Sequence, residues 1–207
     1  DTKKQALISF LRTLYPKHHS NYRYKTEENL GFIDAITKKD LITFHDSAYG
    51  INTMNIAVAG DINAQKFNEQ IIQNFADWKK QSLNEIDKKL NIKPVSKNVE
   101  KINIKDKTSA DMYLGQYIGI DREHTDYYPL MLGIYILGGN FSARLMQTVR
   151  DEQGLTYGIG SSIGGSNFGT DGYWSTWGTF APDLIEKGQN ATMEQINKFY
   201  LVIRYQL

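Results

Sequence analysis

Few side chains in this sequence have the type and spacing that chemistry needs, and the histidines come first. There are four, His18, His19, His45 and His124, and there are no cysteines. A helical zinc site needs two histidines about one turn apart with a carboxylate to activate water. His18 and His19 are adjacent and diverge on most backbones, His45 falls within a helical pattern, and His124 precedes a helix cap. Ile120-Asp121-Arg122-Glu123-His124 holds the Glu-His end of an H-x-x-E-H pattern, with Ile120 where the first ligand must stand. Aliphatic carbon binds no metal, so His124 reads as a loop histidine. The sequence contains no complete zinc site, and the lack of cysteine excludes thiolate sites, thiol nucleophiles and disulfide scaffolds. Glu27-Glu28 and Asp151-Glu152 are neighbouring carboxylates that read as solvated charge. Ser142 lies outside any G-x-S-x-G context. Gly138-Gly139-Asn140-Phe141-Ser142 precedes a helix start, where free amides can hold an anion. It lacks the dinucleotide and P-loop patterns, and a helix–helix corner is the ordinary reading.

The most informative stretch runs from Ile136 to Ile163, ILGGNFSARLMQTVRDEQGLTYGIGSSI. Gly154 is placed for a left-handed cap, with Leu155 folding back on Val149 as in a Schellman closure. That puts Arg150 in the last helical turn and Tyr157 at the start of the next strand. The spacing can bring guanidinium and phenol to one rim, although the helix dipole alone also favours a cation at Arg150.

These residues need elements to carry them. Apolar spacing predicts a helix over Gln5–Leu14, then an exposed loop from Tyr15 to Asn21. A Thr37–Asp40 capping box opens a helix that Gly50 ends. Thr53–Ala59 reads as a strand, followed by a helix from Asn63 to Phe75 and a polar connection from Lys79 to Asn98. Strands are expected at Val99–Lys105 and Asp111–Gly119, then a helix capped by Thr125 or Asp126 that ends at Leu137. A helix capped by Ser142 runs to Gln153, strands follow at Thr156–Ile163 and Gly172–Phe180, and a last helix starts at Asp183. The order predicts an α+β, two-layer α/β sandwich: a mainly antiparallel sheet of all five strands with helices packed on one face.

Composition agrees with one core. The 207 residues are 41% apolar and 23% charged, an ordinary globular mix. A net charge of +1, from 24 Lys+Arg against 23 Asp+Glu, gives no field to hold a nucleic-acid backbone. The longest apolar run, Pro129–Leu137, is about half of the roughly 20 residues a membrane span needs, so the expectation is a soluble chain without a membrane span. Its compartment, periplasmic or cytoplasmic, stays open. Residue 1 is Asp and no targeting segment is visible. The reading is therefore of a single domain over 1–207, cut from a longer chain, with a helical lead-in and linker over 1–50 and a core over 51–207.

The stretch around Arg150 resembles the second domain of the M16 zinc metallopeptidases, the pitrilysin, insulysin and mitochondrial processing peptidase group. The matching residues are Leu137-Gly138-Gly139, Ser142-Ala143-Arg144-Leu145, Arg150 and Gly154-Leu155-Thr156-Tyr157. Upstream, Tyr15-Pro16 with its histidines, Ile36-Thr37, Asp40-Leu41, Tyr49, Asn52 and Ile56-Ala57-Val58-Ala59-Gly60-Asp61 are similar to that family's linker and first strand. The resemblance implies a clamshell of two similar halves, with zinc held by an inverted H-x-x-E-H motif in the first domain of one half. That motif is absent here, so no metal or other cofactor is expected on this fragment. Carried over, Arg150 and Tyr157 come from the opposite half, bind the peptide and stabilise the transition state, while Gly138 to Ser142 is similar to a substrate-contacting loop. The implied partners are a peptide or unfolded polypeptide substrate and the zinc-bearing M16 domain or subunit. Two functions follow: a substrate-binding, non-zinc domain of a zinc metalloendopeptidase, inactive alone, or a non-proteolytic structural member of the same fold family. Retention of both Arg150 and Tyr157 favours the first.

Overall fold

The computed structural model describes residues 1–80, 92, 96–167 and 169–206. In chain order the elements are helices α1 (Thr2–Leu14), α2 (Thr26–Ala35), α3 (Lys38–Ala48) and α4 (Ala64–Phe75), strand β1 (Ala110–Tyr117), and helix α5 (Tyr127–Gly138). A π-helix (Met146–Glu152), strands β2 (Thr156–Gly164) and β3 (Tyr173–Phe180), and helix α6 (Ile185–Gln206) complete the chain. Contacts divide it into two compact units, Asp1–Lys25 with Asp87–Leu207, and Thr26–Ile86. Helix α1, assigned by sequence to the lead-in, thus belongs with the sheet.

The sheet has the order β1-β3-β2, with both outer strands antiparallel to β3. β1 and β2 therefore run parallel to each other, and parallel strands need a crossover, which α5 and the π-helix provide. One face is the main core. Leu137 of α5, Leu145, Met146 and Val149 around the π-helix, Ile159 of β2 and Phe180 of β3 are buried together, with Ala191 of α6. Burying each large apolar side chain stabilises the fold by about 1.5–3 kcal/mol. This is the expected α+β arrangement, with antiparallel pairing and the crossover helices on one face. The opposite face takes α1: Phe10 meets Tyr113 and Tyr173 with ring centroids 6.0 and 5.7 Å apart, and Tyr15 meets Tyr117 at 6.1 Å. Period-two alternation explains the split, since Met112 looks toward one cluster and Tyr117 toward the other.

Two expected strands are not formed. Residues 54–59 carry no regular structure and fall in the unit Thr26–Ile86, and Val99–Lys105 is likewise irregular. Ile56, Val58, Val99 and Ile102 are exposed. Strand-forming residues make a strand only when a neighbour accepts their hydrogen bonds, and among the described residues none does. Part of the Lys79–Asn98 connection lies outside the described residues.

The loop expected to be exposed is half buried. Tyr15, His19, Asn21 and Tyr22 are covered, and the polar atoms of Tyr15 and Asn21 find partners on the β2–β3 turn. The Asn21 amide donates to the carbonyls of Asp171 and Gly165 at 2.9 and 3.2 Å, and the Tyr15 hydroxyl donates to the Asp171 carbonyl at 3.3 Å.

In the unit Thr26–Ile86, α2, α3 and α4 bury no residue. Its helix starts are nevertheless well specified. Thr37 and Asp40 form both bonds of the capping box at α3, and Asn63 caps α4 by accepting from the Lys66 amide. No helix among the described residues is long and apolar enough to cross a membrane.

Candidate functional site

The segment after α5 builds the site. Ala143, Leu145, Met146 and Val149 are buried, which fixes one side of the π-helix against the core. The Thr148 hydroxyl donates to the Arg144 carbonyl at 2.8 Å, a back-bond that loosens a helical ladder. The two arginines of this stretch have different fates. Arg144 Nε donates to buried Gln195 at 3.0 Å and ties the segment to α6. Arg150, at the other end, reaches the surface.

The π-helix closes on Gly154, whose φ of 62° is the left-handed conformation glycine tolerates. The Gly154 amide donates to the Arg150 carbonyl at 2.9 Å and the Leu155 amide to the Val149 carbonyl at 3.1 Å. An ordinary Schellman closure spans one residue fewer, so the wide turn of the π-helix carries through to the cap. π-helical segments concentrate at functional sites.

β2 begins with a β-bulge. Thr156 pairs with Phe180 and Gly158 with Thr179, so Tyr157 is the extra residue. A bulge leaves its residue out of the ladder and re-aims the side chain. Tyr157 is 88% exposed, and among the described residues its hydroxyl makes no hydrogen bond. Its main-chain carbonyl takes a 3.0 Å bond from Arg150 Nε, and Arg150 Nη1 bonds Asp151 Oδ1 at 3.1 Å. Guanidinium and tyrosine therefore meet through the main chain rather than through the phenol. Among the described residues, two of the five donors of the arginine fork are used, and three have no partner.

The glycine turn is divided in its roles. Gly138 is buried where α5 crosses β2: a Cβ there would stand 2.6 Å from the Ser161 nitrogen. Gly139 is the C-cap of α5. The Asn140 side-chain oxygen accepts from the Ser142 amide at 2.8 Å, so Asn140 organises the turn where Ser142 was expected to cap a helix. Phe141 is 80% exposed and Ser142 also faces solvent. Among the described residues, no hydrogen bond or ring contact joins this turn to Arg150 or Tyr157.

Three of the histidines have structural partners, and His18 is exposed. His19 is buried, stacks on Tyr15 with centroids 4.3 Å apart, and accepts from the Asn21 amide at Nδ1. Burial lowers its pKa, against the opposing pull of the Asp171 carboxylate. The Tyr117 hydroxyl donates to Asp171 at 2.5 Å, and burial foremost, then this bond, raises the phenol's pKa. Sequence reasoning missed this latch because its parts are about 50 to 150 residues apart, with no local signal. His45 stacks on Tyr49, and His124 Nδ1 accepts from the Asp126 amide. Among the described residues no three His, Cys, Asp or Glu side chains converge to hold a metal.

Residues 35–200 match the model of the peptidase M16 inactive domain. An uncharacterized zinc protease of Rickettsia felis is 28% identical over 158 residues, covering 74% of this chain and 36% of that protein. The crystal structure of a peptidase M16 inactive domain from Pseudomonas fluorescens superposes with a TM-score of 0.80 at 26% identity, over 96% of this chain and 47% of that one. The crystal structure of a protease from Helicobacter pylori shares the fold, with a TM-score of 0.71 at 20% identity, over 94% of this chain and 46% of that one. The chain thus spans less than half the length of each of these relatives. With its antiparallel sheet, crossover helices and family match over most of its length, the chain belongs to the peptidase M16 family, as an M16 inactive domain.

Proposed function

We propose that this chain is the substrate-binding, non-zinc domain of a larger M16 zinc metalloendopeptidase, with Arg150 and Tyr157 acting on the bound peptide. The observation that carries the reading is the bulge, which leaves the Tyr157 hydroxyl without a partner among the described residues while Arg150 holds its backbone. An unpaired donor on a fixed main chain is suited to a carbonyl oxygen that gains charge during peptide cleavage. The three spare donors of Arg150 suit the carbonyls of an extended peptide. Zinc chemistry belongs to a separate zinc-bearing domain, on the same chain or a partner, and this domain alone is inactive. Exposed Phe141 and Ser142 supply further contact to the peptide; Gly138 and Gly139 shape the turn that presents them.

A second reading has one specific observation behind it. The Arg150–Tyr157 bond satisfies a carbonyl that the bulge removes from the ladder, which is reason enough for the pair in a non-proteolytic scaffold. The assembled enzyme separates the two. With Arg150→Ala and Tyr157→Phe together, the substrate-binding reading expects peptide turnover to collapse while zinc content stays whole. Natural turnover in that variant overturns the role of the pair, whereas an assembled natural protein that cleaves no peptide leaves the scaffold reading.

A further inference from the structure

We infer that Thr156 is a positioning residue, whose buried hydroxyl holds the bulge open and thereby sets the direction of the Tyr157 phenol; this rests on the substrate-binding reading above. Thr156 is 8% exposed. Its hydroxyl oxygen accepts from the Gly158 amide at 3.2 Å, and its proton faces the carbonyls of Gly158, at 2.9 Å, and Thr179. One hydroxyl carries one donor and two acceptor lone pairs, so the single proton is shared in a three-centre bond. The side chain thus stands in the gap where β2 parts from β3, doing for the bulge what ladder bonds do elsewhere. Arg150 Nε holds the Tyr157 carbonyl from outside the sheet.

The Tyr157 side chain has no such support. It is exposed and, among the described residues, unbonded, so the main chain fixes the point from which the phenol reaches out. Arg150 Nε pins the Tyr157 carbonyl directly, and the Thr156 hydroxyl pins the next residue, Gly158, through its amide and carbonyl. Misplacing a reacting group by about 1 Å costs on the order of a hundredfold in rate, so a bulge that relaxes and carries Tyr157 with it should slow turnover. A plain β-forming role for Thr156 needs only its branched Cβ, which valine also has.

The test uses the enzyme assembled with its zinc-bearing domain. Thr156→Val keeps the shape and removes the hydroxyl; Thr156→Ser keeps the hydroxyl. The expected result for Thr156→Val is a kcat lower by about 10- to 100-fold with KM little changed, and near-natural kcat for Thr156→Ser. The Gly158 amide should exchange with solvent faster in Thr156→Val alone. In a Tyr157→Phe background, Thr156→Val should cost little more, because its effect passes through the missing hydroxyl. Natural kcat in Thr156→Val, or a loss that multiplies fully with that of Tyr157→Phe, overturns the inference. If Tyr157→Phe alone keeps natural turnover, the underlying reading fails and the positioning role fails with it. That outcome is distinct from a silent Thr156→Val beside a damaged Tyr157→Phe, which overturns this inference alone. Should Thr156→Val not fold, Thr156→Ala against Thr156→Ser makes the same comparison.

Discussion

Replacing Gly138 by alanine should destabilise the sheet-containing unit without touching substrate contacts directly. An added methyl would stand 2.6 Å from the Ser161 nitrogen, 2.7 Å from its Cβ and 3.1 Å from the Gly160 carbonyl carbon. Carbon contacts are comfortable at about 3.5–4.0 Å, so α5 must draw back from β2 by on the order of 1 Å. Leu137 precedes this glycine and is 1% exposed in the core that would open. Overpacking of this kind costs about 1–3 kcal/mol. Alanine returns at most about 0.5–1 kcal/mol through backbone entropy, and less at the last residue of a helix. The net loss is about 1–2 kcal/mol, which lowers the midpoint by roughly 2–8 °C for a chain of this size. Calorimetry of the natural and substituted proteins reads it directly. An unchanged or raised midpoint with weakened peptide affinity would refute the packing argument and return Gly138 to the substrate-contacting loop.

Three further outcomes follow from the same structure. Gly154→Ala meets no atom within 4 Å, so its cost is conformational alone, about 1–2 kcal/mol at a left-handed position; denaturant unfolding with no loss of stability would contradict the cap. His19 is held below histidine's ordinary value by burial, so the unfolded chain takes up the proton first. Its contribution is therefore whole above about pH 6.5 and falls as pH drops from there toward the depressed folded value; a midpoint that falls less across that window in His19→Gln supports this, and an identical fall in both proteins contradicts it. Metal analysis of this 207-residue chain, purified and dialysed, should find no stoichiometric zinc, and one tightly held zinc per chain would contradict the ligand assignment.

Much of the frame was legible because local chemistry specified it. Gly154, placed by spacing as a left-handed cap, takes φ 62° with Leu155 bonded back to Val149. Thr37 and Asp40 form the capping box that their types and spacing announce. The β2–β3 hairpin and β1 fall within two residues of their expected bounds. Non-local features were illegible. The bulge at Tyr157 depends on the Thr156 hydroxyl meeting Thr179, 23 residues away, and no local pattern encodes that meeting. The π-helix differs from an α-helix by one residue of girth, which apolar spacing at Leu145, Met146 and Val149 does not resolve. Tyr15 to Asn21 reads as exposed because it is polar, and Pro16 to His18 are, yet Tyr15 and Asn21 are buried with their polar atoms bonded to the Asp171 carbonyl. Ile56, Val58 and Ile102 have strand-forming side chains, but propensity supplies no partner. Helix α2 went unforeseen because its apolar residues form no strong stripe: Leu30, Phe32 and Ile33 all face solvent.

The central claim is that the exposed phenol of Tyr157 acts on the transition state, and Tyr157→Phe in the assembled enzyme tests it most directly. The substitution removes one oxygen that is unbonded within the described structure, on a side chain 88% exposed. Stability should therefore change by less than about 0.5 kcal/mol. Losing one preorganised oxyanion donor costs about 3–4 kcal/mol, a hundred- to a thousandfold in turnover. A turnover lower by that factor at an unchanged thermal midpoint is the predicted result. Natural turnover with a clearly lowered midpoint would contradict it and make Tyr157 a structural residue.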